Sequence, residues 1–102
     1  MIYFHSYVQA LNETNVKYSI VKSQKEINPD YTISFYTVKT NKHTIFFNCL
    51  TGDILLKVYN HNFHYIKYIK NKEVKSKSPL SYTNSINDEN NYLNILAEIM
   101  EE

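Results

Sequence analysis

Four histidines, one cysteine and eleven lysines are the residues of this 102-residue chain best suited to chemistry, and their spacing sorts them. His61 and His64 form a His-x-x-His pair, and with Cys49 they would offer zinc three nitrogen and sulfur ligands. No second cysteine or flanking carboxylate completes the set. A cysteine that packs as a small hydrophobe is the better reading, and neither a metal nor another cofactor is expected. His43, His61, His64 and Lys67 are groups that a small toxin-like endoribonuclease would use as acid and base. No motif accompanies them: nucleophile elbows and paired catalytic carboxylates are absent, and a single glycine cannot build a phosphate cradle. A non-enzymatic protein is therefore the leading expectation.

The lysines point elsewhere. Lys67, Lys70, Lys72, Lys75 and Lys77 lie close to Tyr65 and Tyr68. Basic residues interleaved with aromatic rings neutralise phosphate and stack bases of a single nucleic-acid strand. Glu73 interrupts the run, and the chain has no arginine to fork onto phosphate or guanine. A solvated lysine-rich loop is the commoner reading of such a stretch.

The missing arginine belongs to a wider bias. Asparagine, lysine, isoleucine and tyrosine occupy 13, 11, 11 and 10 positions, and all four have A/T-rich codons. This is the mark of a low-GC bacterial or viral genome. The net charge of +1 hides a separation: residues 1–77 hold all eleven lysines against five acids, and residues 78–102 hold five acids and no lysine. Such asymmetry marks either a basic binding surface or an acidic end that folds back onto the basic part.

Length and composition bound the architecture. One small globular domain over residues 1–102 is expected, with 43% hydrophobic residues to build its core. A single cysteine excludes an internal disulfide and fits a reducing cytoplasm, the host's if the source is viral. No basic-then-apolar leader and no apolar run of about 20 residues is present, so no membrane partner is expected.

Periodicity supplies the elements. Phe4, Tyr7, Val8 and Leu11 recur at helical spacing, and the helix ends within Asn12–Asn15. Val16, Tyr18 and Ile20 alternate as a strand, followed by a polar connection from Lys22 to Asp30 with a turn at Asn28-Pro29-Asp30. Strands are expected near residues 31–39, 44–50, 53–59 and 64–69, then an exposed loop over 70–84. Ser85 to Asp88 opens a last helix whose apolar face is Tyr92, Leu93, Leu96, Ile99 and Met100. The class is α+β: an N-terminal helix, an antiparallel sheet of about four to five strands and a C-terminal helix, in two layers.

A Thr51-Gly52 turn and a loop at residues 40–42 set a register in which Ile33, Phe35, Ile45, Phe47, Leu56 and Val58 share the inner face with Cys49 and Ile54. The other face then presents Tyr36, Phe46, Leu55, Lys57 and Tyr59. An uncovered face of this kind is a docking surface for a protein or ribonucleoprotein, with Lys67, Lys70 and Tyr68 steering or assisting. The expected function is a small binding protein, for example an anti-CRISPR-like inhibitor of a host defence enzyme. Single-stranded nucleic-acid binding and endoribonuclease activity are the alternatives, and a homodimer through the same face or a strand edge is compatible.

Overall fold

The computed structural model describes residues 2–59, 64–69, 72–74 and 89–101. Helix α1 spans Ile2–Glu13, as its apolar spacing requires. Its end is chemically defined. The Val16 N–H donates to the Leu11 carbonyl at 3.0 Å and the Asn15 N–H to the Asn12 carbonyl at 3.3 Å. Asn15 takes a positive φ of 57°, so it is the left-handed residue of a Schellman-type cap, a place where asparagine substitutes for glycine.

Six antiparallel strands follow in a plain meander, each hydrogen-bonded to the next: β1 (Ser19–Asn28), β2 (Tyr31–Lys39), β3 (His43–Asn48), β4 (Ile54–Tyr59), β5 (His64–Ile69) and β6 (Lys72–Val74). Helix α2 (Glu89–Glu101) closes the chain. Two expected loops are strands instead. The stretch from Lys22 to Asn28 continues β1, because its backbone pairs residue by residue with β2 even though its side chains are polar. Lys72–Val74 adds a short last strand. The rest of the expected 70–84 loop and the Ser85–Asp88 helix start lie outside the described residues.

The expected register is off by one. Asn41-Lys42 form a two-residue turn in which the Thr40 N–H donates to the His43 carbonyl at 2.9 Å and the Thr40 hydroxyl accepts from the Lys42 and His43 N–H groups. Lys39 therefore faces Thr44, and Phe35 faces Asn48 rather than Phe47. On the other side of β3 the turn is longer than Thr51-Gly52. The Asn48 side-chain oxygen accepts from the Leu50 and Thr51 N–H groups, and the Asn48 N–H donates to the Asp53 carbonyl at 2.8 Å. Gly52 supplies the positive φ of 76° that closes it. A bulge at Leu55 then shifts β4, so that Phe46 faces Leu56 and Phe47 faces Ile54.

A slip of one residue turns a strand over relative to its neighbours. Phe46 thereby joins Ile33, Phe35, Leu56 and Val58, where Ile95 and Leu96 of α2 cover them. Ile45 and Phe47 join Val38 on the opposite face, covered by Phe4 and Leu11 of α1. The α+β order of helix, antiparallel sheet and helix is the expected one, with six strands rather than four to five, but the two-layer packing is not: a helix covers each face and the sheet is the middle layer. Thr44, Ile45, Phe46 and Phe47 are all buried in succession, as a strand covered on both sides demands. No helix among the described residues is long and apolar enough to cross a membrane.

Candidate functional site

The sheet disperses the residues of the expected docking face. Phe46 is fully buried beneath α2, its ring 5.6 Å from that of Phe35, and Leu55 sits in the same core. Neither can reach a partner. Tyr36 lies on the α1 side, stacked on Phe4 at 4.6 Å with its plane only 20° away. Lys57 is half-buried on that same side, opposite Ile45. Tyr59 ends β4 in register with His43 and His64.

The basic group is dispersed as well. Lys67 is only 7% exposed, sits opposite Leu56 on the α2 side and interacts within the fold. Tyr68 is half-buried and falls on the other face by strand alternation. Lys70, Lys75 and Lys77 lie outside the described residues, as does His61. Cys49 is half-buried beside the β3–β4 turn, its N–H donating to the Ser34 carbonyl at 3.0 Å, rather than sitting in the core. His64 pairs with Tyr59 at the far end of β4. Five residue steps of strand, about 17 Å, separate those two ends, which rules out a shared zinc ion for Cys49 and His64.

The sheet does bring His43 and His64 into one row, on either side of Tyr59 and about 10 Å apart across two strand spacings. Burial, then the nearby Lys57 and Lys42 charges, hold the His43 imidazole below the ordinary histidine value of 6.5. Lys57→Gln should therefore raise the His43 pKa, as read from an NMR titration of its ring proton. A lowered folded-state pKa means that the unfolded chain binds more protons as pH falls through 6.5. Stability contributed by neutral His43 is present above that pH and lost below it. Melting should be lower at pH 5 than at pH 8, and the Lys57→Gln variant should lose less between the two.

Comparison with family models, curated proteins and solved structures finds no match. The surface must therefore be read on its own terms. Among the described residues, β1 is a long open element. This strand is ten residues long, pairs only with β2, and leaves its outer backbone edge unpaired among the described residues. Ile20 and Val21 stand next to each other on it, 40% and 50% exposed, on opposite sides of the strand. Lys22 and Lys25 follow, also one on each side. Periodicity could have found Ile20; the polar run Lys22–Asn28 hid the length of the edge.

Proposed function

We propose that this protein is a small non-enzymatic binding protein that docks on another protein by strand addition at β1. The supporting observation is the long unpaired edge of β1 with the exposed Ile20–Val21 step upon it. An unpaired edge offers a row of N–H and C=O groups that an extended segment completes, and the alternating side chains give selectivity. Ser19–Asn28 contains no proline to interrupt such pairing. Lys22 and Lys25 guard the edge against indiscriminate pairing and favour an acidic, extended segment in the partner. An inhibitor of a host enzyme would use such a surface to occupy a strand or loop of its target.

The experiment is capture from a low-GC bacterial lysate by four chains: the native protein, Ile20→Lys, Val21→Lys and, as a remote control, Leu50→Lys. Leu50 is 88% exposed on the β3–β4 turn, so its replacement should leave the fold intact. A protein retained by the native chain and by Leu50→Lys, and lost from both β1 variants, is the expected result. Equal retention by all four, or none by any, would remove β1 as the docking element. Light scattering of the pure protein tests whether the edge is already occupied by a second copy.

A further inference from the structure

The C-terminal end of α1 and the β2–β3 hairpin bound a cleft of about 880 Å3, within the range of roughly 300–1,000 Å3 usual for small-molecule sites. Its apolar wall is Tyr7, Leu11, Val16 and Tyr18. Lys17, Lys39, Lys42 and His43 form the basic side, and among the described residues no carboxylate lines it. The capped end of α1 brings the negative pole of the helix, about half an elementary charge, which the Lys17 and Lys42 ammonium groups exceed. Lys17 and Lys42 are both exposed, and neither has a carboxylate partner among the described residues. The Tyr7 hydroxyl is buried in the wall with no hydrogen-bond partner.

We propose that this cleft binds a nucleotide phosphate, with phosphoryl oxygens on Lys17 and Lys42 and the planar base against Tyr18 and Leu11. Lysine suits this role as a point charge that needs no guanidinium fork. The ring supplies what the apolar wall can hold, since bases stack on aromatic side chains. A free nucleotide and the phosphorylated 5′ end of a single strand carry the same chemistry. The proposal is independent of the β1 edge, because none of its residues except Ser19 belongs to that strand.

Calorimetric titration of the whole protein tests it with four probes: adenosine triphosphate, inorganic phosphate, and hexauridylate with either a 5′-phosphate or a 5′-hydroxyl. Saturable binding of the triphosphate or of the phosphorylated strand is expected. The double variant Lys17→Gln/Lys42→Gln should weaken it by about tenfold or more, as losing charge-assisted contacts to phosphate implies. Both side chains are exposed, so the double variant should melt like the native protein. Tyr7→Phe removes a hydroxyl sealed behind the wall, and should leave binding unchanged. Bound phosphate should also move the His43 pKa upward, against the Lys57 and Lys42 charges that hold it down, with Lys17 and Lys39 nearby. Saturation by the triphosphate but not by the strand identifies a free nucleotide as the source; the reverse identifies a strand end. The proposal is overturned if neither binds at low salt, if the double variant binds as tightly as the native chain, if the 5′-hydroxyl strand binds as well as the phosphorylated one, or if inorganic phosphate binds as tightly as the triphosphate.

Discussion

Phe46→Ala should cost about 3–5 kcal/mol, the usual range for emptying a fully buried phenylalanine site. A domain of this size is stable by only about 5–15 kcal/mol, so the variant should lose about a fifth or more of its stability. At about 4–8 °C per kcal/mol, its melting temperature should fall by at least about 12 °C. Were Phe46 on an open sheet face, the same change would shift stability by about 0.5 kcal/mol or less. Phe47→Ala should cost a similar amount by a different route. Phe47 packs edge-on against Phe4 at 5.4 Å and lies 5.7 Å from Tyr7, both in α1, whereas Phe46 belongs to the core closed by Ile95 and Leu96 of α2. Amide hydrogen exchange separates the two. Phe46→Ala should accelerate exchange first in α2, and Phe47→Ala first in α1. Faster exchange of α1 in both variants would contradict the assignment of one helix to each face.

Leu96→Asp should have the larger effect of the two. Leu96 is fully buried against the sheet, and Leu96→Ala alone should cost about 2–5 kcal/mol. An ionised carboxylate at that position would be desolvated among Phe35, Phe46 and Leu56, and that cost adds to the lost packing. The expected outcome is detachment of α2 and exposure of Phe35, Phe46, Leu56 and Val58 as one apolar surface. A hydrophobic dye should bind, and light scattering should show association, because an apolar patch of that kind does not stay in water alone. Asn94 is exposed on the same helix, so Asn94→Asp serves as the control and should melt within about 0.5 kcal/mol of the native protein. Native-like melting of Leu96→Asp would show that α2 is not what closes this side of the sheet.

The consequence for function is a change of place. Phe46 and Tyr36, which periodicity sets on one outer face, pack inside the fold instead. Among the described residues, the edge of β1 and the lysine-rimmed cleft at the end of α1 are available surfaces. The two are separate surfaces, and the experiments above distinguish them.

Local chemistry was enough to read most elements from the chain. The helical spacing of Phe4, Tyr7, Val8 and Leu11 defined α1, apolar alternation placed β2 and β4 within a residue of their observed bounds, and the strand-forming Tyr65, Ile66, Tyr68 and Ile69 favoured β5 over a helix. Asn28-Pro29-Asp30 marked the first hairpin, where the Asp30 N–H donates to the Asn28 side chain at 3.0 Å. The run Ile45-Phe46-Phe47 also held the clue to a sheet covered on both sides, since a half-exposed strand does not place three large apolar residues in succession. Tertiary structure decided the rest. Alternation determines which side chains share a face within one strand, but the turn determines which faces of adjacent strands coincide. Here the Thr40 hydroxyl, the Asn48 side chain and the Leu55 bulge set that phase, and each moves it by a single residue. The polar half of β1 likewise owes its strand to backbone pairing with β2, which no side-chain pattern records.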